Sequence, residues 1–89
     1  PAEGKQVFAD TGCGTCHAFK AAGSTAKVGP DLDQSLQGKD QDYVREAIVN
    51  PDAQIAAGFQ PGVMPKNYGQ QLDSGQIADL VAFLLQPAG

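Results

Sequence analysis

The chain has two cysteines three positions apart, and its single histidine follows the second one directly: Cys13-Gly14-Thr15-Cys16-His17. Residues three apart on a helical turn lie on one face, so both thiols can bond to the two vinyl groups of one porphyrin. The histidine then falls over the iron. This C-x-x-C-H pattern is typical of covalent haem attachment, and it predicts a chain folded around one haem c with His17 as an iron ligand.

Three other interpretations of this motif stay open at this point. A thioredoxin-like dithiol normally belongs to a βαβ pattern, which the sequence does not show. A zinc site would need a carboxylate outside the usual ligand sets, because the chain has one histidine and two cysteines. The third is chance burial of two small thiols and a hydrogen-bonded imidazole. The haem interpretation is favoured over all three.

Length and composition agree with a cofactor that completes the core. The 89 residues predict one domain over residues 1–89, and a domain this short buries a smaller share of its surface than an average one. Eleven glycines and six prolines imply many loops, which leaves few elements to build a core. A large apolar cofactor would supply the missing part.

Charge and hydropathy argue against a nucleic-acid-binding protein and against a membrane-spanning segment. The formal net charge is −4, and the acidic residues are scattered, so a nucleic-acid partner is not expected. No apolar run approaches the ~20 residues that cross a bilayer, and the first residues do not form a signal peptide. We expect a mature exported protein or a domain cut from a larger one.

Helical spacing and capping residues predict an all-α chain with long loops. The predicted helices cover residues 2 to about 11, residues 40–50, and a segment that starts with a capping box at Asp73 and Gln76 and ends before Pro87. Residues 20–33 and 54–69 are predicted loops, rich in glycine and proline. No segment alternates apolar and polar residues long enough to indicate a strand.

The second axial ligand of the iron is inferred by elimination. Histidine, methionine and lysine are the strong candidates, and the chain has no second histidine and one methionine, Met64. Met64 lies between Pro61 and Pro65, whereas a methionine that merely fills a core more often lies on a helix. Coordination by His17 and Met64 would saturate the iron, which favours electron transfer over oxygen binding.

Further residues are candidates for the haem pocket. In Gly29-Pro30-Asp31-Leu32, a backbone carbonyl near Pro30 could accept the ring N–H of His17, although an ordinary turn fits the sequence equally well. Leu32 is a pocket candidate from the same segment. Phe59 and Tyr68 are candidates because their loop is too apolar to lie idle on the surface.

The chain resembles class I (monohaem) cytochrome c over essentially all of its residues. The resemblance depends on features that occur in the family's order: Gly4, Phe8, Cys13-x-x-Cys16-His17, Gly29-Pro30, Met64-Pro65 and a C-terminal amphipathic helix.

The resemblance implies a fold of three to five short helices with long loops around the haem. The first and last helices would cross, with Gly4 and Phe8 against Leu80 and Phe83. It also implies that a carbonyl of the Gly-Pro pair contacts the histidine, which favours Pro30 over an ordinary turn.

Within this class, the stretch from Asn50 to Pro65, with Tyr68-Gly69-Gln70, resembles the cytochrome c domain of subunit II of caa-type haem-copper oxidases. Soluble monohaem carriers of bacterial respiratory chains are similar. One departure is the absence of tryptophan, the residue that holds a haem propionate in many members. The candidate substitutes are Tyr43, Arg45, Gln60 and Tyr68.

The resemblance implies a non-enzymatic, monomeric carrier of single electrons. A quinol-oxidising complex is the expected donor and a terminal oxidase the expected acceptor, with a tether to a membrane complex as an option. The expected location is the bacterial periplasm or the outer face of the cytoplasmic membrane, because thioether attachment requires export in most bacteria. The main rival is a haem-based sensor in which Met64 dissociates; a haem-free dithiol oxidoreductase is a second.

Overall fold

The computed structural model describes residues 2–53, 64 and 67–85, which form six α-helices and one small sheet. The helices are α1 (Ala2–Asp10), α2 (Cys13–Cys16), α3 (Leu32–Ser35), α4 (Gln41–Val49), α5 (Tyr68–Gln71) and α6 (Ser74–Leu85). The strands are β1 (Ala18–Phe19) and β2 (Ser24–Thr25), joined through a 3₁₀ turn at Lys20–Ala22. The predicted all-α class is confirmed. Three of the helices are single turns, too short for helical periodicity to show, so the described helices outnumber the three to five expected.

The first and last helices cross in direct backbone contact. A Cβ atom built on Gly4 would lie 2.5 Å from the Cβ of Phe83 and would overlap the carbonyl of Asp79. Only glycine lets α1 approach α6 this closely, as the sequence predicts. Phe83, one of the two expected partners, lies against both Gly4 and Phe8. Asp79 also contacts Gly4, and Leu80 is buried at 1% exposure.

Three phenylalanine rings from α1, β1 and α6 pack together beside this crossing. The ring centroids of Phe8 and Phe19 are 5.9 Å apart, those of Phe8 and Phe83 5.7 Å, and those of Phe19 and Phe83 5.3 Å. These separations are in the favourable range for aromatic pairs. Because Phe19 follows His17 by two positions, the cluster ties the helix crossing to the segment that carries the histidine.

Helix α4 begins and ends close to the predicted positions and lies against α6. The side chain of Asp40 accepts the backbone N–H of Tyr43 at 2.9 Å, which caps the helix. Pro51 follows its end, where a proline cannot continue the helix. Val44 and Ile48, one turn apart, are its buried residues.

The capping box of α6 is also present. The backbone N–H of Gln76 donates to the carboxylate of Asp73 at 2.7 Å, and the N–H of Asp73 donates to the side-chain carbonyl of Gln76 at 3.0 Å. Within the described range the helix runs to Leu85; Pro87, its predicted terminator, lies outside the described residues. No helix in the described part of the chain combines the length and hydropathy needed to span a membrane.

The structure differs from the sequence prediction at the loops. The sheet was not expected, because antiparallel strands of two residues, paired Ala18 with Thr25 and Phe19 with Ser24, are too short to produce an alternating pattern. Helix α3 begins inside the predicted loop 20–33, and α5 begins inside the predicted loop 54–69. Of that second loop, the structure describes only residues 64 and 67–69.

Candidate haem site

The two cysteines lie on a single helical turn. Helix α2 starts after Gly12, whose φ of 75° is a left-handed conformation that favours glycine. The backbone N–H of His17 donates to the carbonyl of Cys13 at 3.0 Å, which closes the turn. Cys13 and Cys16 are both half-buried and are not joined by a disulfide. At this spacing the two thiols share a face, as thioether attachment to one porphyrin requires.

The side chain of His17 is buried and held by the backbone. It is 9% exposed, and its Nδ1 lies 2.7 Å from the carbonyl oxygen of Pro30. A carbonyl can only accept, so Nδ1 carries the proton and Nε2 is left as the free base of the neutral ring. Nε2 has no hydrogen-bond partner among the described residues, in which no fully buried side-chain nitrogen or oxygen lacks one. It therefore lies at an accessible edge of the ring.

Gly29 packs directly against the imidazole ring. A Cβ atom at this position would lie 2.7 Å from Cε1 and 2.9 Å from Nδ1 of His17. The backbone N–H of Gly29 also donates to the carbonyl of Cys16 at 2.7 Å. The loop that contains Gly29 is therefore hydrogen-bonded to α2 and lies against the imidazole ring of His17. Sequence reasoning selected Pro30 but missed this role of Gly29; a glycine directly before that proline was the available signal.

Two aspartates hold the loop that carries Pro30. Asp31 accepts the backbone N–H of Asp33 at 2.9 Å and caps α3. The carboxylate of Asp33 in turn accepts the backbone N–H of Lys20 at 2.8 Å. Because Lys20 follows β1 directly, the loop is joined to the chain on both sides of His17. The carbonyl of Pro30 is therefore held in place by bonds that do not depend on the imidazole.

The thiol of Cys13 is kept in its protonated form. Thr11 Oγ1 lies 3.2 Å from Cys13 Sγ and donates its one hydrogen to the carbonyl of Val7 at 2.7 Å, so the thiol is the donor in the first contact. Burial raises the pKa of the Cys13 thiol above its ordinary value. Redox-active dithiols have lowered pKa values instead, which argues against a thioredoxin-like activity.

Tyr68 is the predicted pocket residue that reaches the attachment segment. Its side chain is 8% exposed, and its hydroxyl donates to the backbone carbonyl of Thr11 at 3.2 Å. Leu32 and Met64 are half-buried and pack against the hydrophobic core. Phe59 lies outside the described residues. Sequence reasoning did not identify Thr11, because its contacts depend on Tyr68 and Cys13 meeting in the fold.

The residues of this site fit a covalently bound haem. Two unpaired thiols on one helical turn match thioether formation, and the imidazole next to them has its donor nitrogen bound and its basic nitrogen free. The described residues contain no group of three histidine, cysteine or acidic side chains placed to hold a metal ion. The individual roles of Cys13, Cys16, His17 and Met64 remain predictions.

Comparison with known proteins identifies the family. The family model described as Cytochrome c matches residues 1–87. No curated protein and no solved structure matches the chain. A match over nearly the whole sequence, together with the all-α fold, supports covalent haem c with iron as the cofactor, electron transfer as the general role, and redox proteins as the partners. The chain is a member of the cytochrome c family.

Proposed function

We propose that this protein carries single electrons with one haem c bound through Cys13 and Cys16, and with His17 and Met64 as the axial ligands. When bound, the haem supplies a one-electron iron couple. The observation that carries the proposal is the 2.7 Å contact between Nδ1 of His17 and the carbonyl of Pro30. It commits the only donor of the neutral ring to the backbone and leaves Nε2 in the deprotonated form that coordinates metals.

This arrangement also fixes the orientation of the ligand. A metal-binding histidine usually donates its other ring N–H to a carboxylate or a carbonyl, which makes the ligand nitrogen more basic. For His17 the carbonyl sets the direction of the ring, and Gly29 lies against Cε1 and Nδ1. We infer that little reorganisation of His17 accompanies a change of one electron, as a carrier needs.

The case for Met64 as the second ligand depends on its chemistry and its surroundings. It is the single methionine of the chain, and it is half-buried against the hydrophobic core. A neutral thioether favours Fe(II), so His/Met ligation raises the reduction potential. Two side-chain ligands leave no open position for a substrate or a gas, which favours a carrier over a sensor.

We further propose a place for the protein in a respiratory chain outside the cytoplasm. A quinol-oxidising complex would supply the electron and a terminal oxidase would accept it, through the brief, small contacts of redox encounters. The support is the resemblance of residues 50–65 and 68–70 to the cytochrome c domain of caa-type oxidases, and the export that thioether attachment requires in most bacteria. Stopped-flow reduction by a purified quinol-oxidising complex, followed by oxidation by a terminal oxidase, tests this order.

The ligand set is tested by a reduced-minus-oxidised spectrum combined with a redox titration. The parent protein should show a c-type spectrum that resists extraction of the haem, and the oxidised form should show the weak long-wavelength band of an iron–thioether bond. Met64→His should lower the potential and abolish this band. Gln37→His is the matched control, because it adds an imidazole at an exposed turn and should change neither.

Two results would contradict the proposal. Carbon monoxide binding to the reduced parent at neutral pH would favour the sensor, since it requires Met64 to leave the iron. An unchanged potential in Met64→His would show that the second ligand is another residue.

A further inference from the structure

One hydrogen bond joins the two chain segments that carry the proposed ligands. The hydroxyl of Tyr68 donates to the backbone carbonyl of Thr11 at 3.2 Å across 57 positions of sequence. Tyr68 follows Met64 by four residues, and Thr11 precedes Cys13 by two. The bond therefore links the chain after the methionine to the chain before the attachment motif.

The acceptor belongs to a fixed turn. Thr11 donates both its backbone N–H, at 3.0 Å, and its hydroxyl, at 2.7 Å, to the carbonyl of Val7, and its hydroxyl contacts the sulfur of Cys13. In the described part of the chain, no backbone N–H donates to the Thr11 carbonyl itself. This carbonyl lies just past the end of α1, where helical carbonyls lose their intrahelical donors. Tyr68 supplies the missing donor.

Helix α5, which carries the donor Tyr68, is weakly stabilised by its own hydrogen bonds. Helix α5 has four residues, and its N-cap residue Asn67 makes no side-chain capping bond. So short a helix is not stable on its own. Packing of Tyr68 and Leu72 in the core, and the Tyr68 hydrogen bond, hold α5 in place. Removing the hydroxyl would loosen the segment that leads to Met64 while the aromatic ring stays packed.

We propose that Tyr68 is a positioning residue that keeps Met64 on the iron by fastening its segment to Thr11. The inference rests on the proposed function, since it requires Met64 to be the axial ligand. Its consequence is resistance to external ligands: a ligand that displaces Met64 must first move a segment that the Tyr68 hydroxyl restrains.

The test is an imidazole titration of the oxidised, haem-loaded protein and its Tyr68→Phe variant. Imidazole displaces the thioether and removes the long-wavelength band. Affinity for imidazole should rise about 2-fold to 10-fold in Tyr68→Phe, the range that loss of one neutral hydrogen bond gives. Asp40→Ala is the matched control: it removes the side-chain cap of α4, lowers the free energy of unfolding, and should leave the affinity for imidazole unchanged.

The outcomes separate the two proposals. An unchanged affinity for imidazole in Tyr68→Phe, with a loss of stability like that of Asp40→Ala, would show a merely structural tyrosine and overturn this inference. Absence of the long-wavelength band in the parent, or binding of imidazole without its loss, would instead overturn ligation by Met64. The difference in imidazole affinity between the parent and Tyr68→Phe does not come from global stability. It should therefore persist when the temperature is lowered.

Discussion

Substitution of Gly4 by alanine should break the contact between α1 and α6. In a free helix the change would stabilise by about 0.5–1 kcal/mol, because glycine loses more backbone entropy on folding. In this crossing the new methyl group would lie 2.5 Å from the Cβ of Phe83 and overlap the carbonyl of Asp79. Both obstacles are close to the backbone, so they cannot swing aside and the helices must separate.

The expected cost follows from these two terms. Overpacking a well-packed contact costs about 1–3 kcal/mol, and a rigid backbone obstacle places this case at the upper end. After subtraction of the helix gain, we expect a net loss of about 2 kcal/mol, which lowers Tm by about 8–16 °C in a chain of this size. Thermal unfolding of the haem-loaded protein, followed by far-UV circular dichroism, measures this shift.

Gly75→Ala is the matched control for the same chemical change. Gly75 lies in the first turn of α6, and the nearest atom to its added Cβ is a carboxylate oxygen of Asp73 at 3.4 Å. That distance is ordinary van der Waals contact, so Tm should stay the same or rise by a few degrees. A Gly4→Ala protein as stable as the parent would show that α1 and α6 do not approach as closely as described.

Three further changes test the site and the helix ends. Asp40→Ala removes the cap of α4 and should cost about 0.5–2 kcal/mol of unfolding free energy, measured by urea titration; an unchanged midpoint would refute the capping role. Gly29→Ala pushes a methyl group against His17 and should shift the reduction potential in a redox titration, while a parent-like potential would show that the ring has room to move. Burial raises the pKa of the Tyr68 hydroxyl, so the folded state holds this proton more tightly than the unfolded chain. The contribution of this group to the free energy of unfolding is therefore intact below pH ~10 and is lost as the pH rises further. Tyr68→Phe should therefore lose stability less steeply than the parent above about pH 10, and parallel curves would contradict this origin.

The elements predicted well from sequence are those encoded by neighbouring residues. The capping box of Asp73 and Gln76 and the cap at Asp40 depend on side chains three positions from their partners. The identity of the residues at those positions is therefore enough to predict them. The helix turn of the attachment motif is equally local. Gly4 was also informative, because a glycine on the apolar face of a helix indicates a close neighbour even before that neighbour is known.

What the sequence could not show depends on distant contacts. The bond from Tyr68 to Thr11 joins residues whose spacing carries no pattern, and the packing of Gly29 on His17 appears only once the loop has folded back onto α2. The short sheet escaped prediction for a different reason, since two-residue strands leave no periodicity. The contact of Pro30 with His17 lies between these cases: the motif allowed it, the family resemblance favoured it, and the structure shows it.

The crossing of α1 and α6 also has a consequence for the order of folding. Gly4 and Phe83 are near opposite ends of the described chain, so their contact closes a loop of almost the full sequence, at an entropic cost of about 4 kcal/mol. Such non-local pairing slows folding, because the cost is met before the contact forms. Helix α6 packs against both α1 and α4, so a nascent chain that has not yet released α6 cannot complete its core.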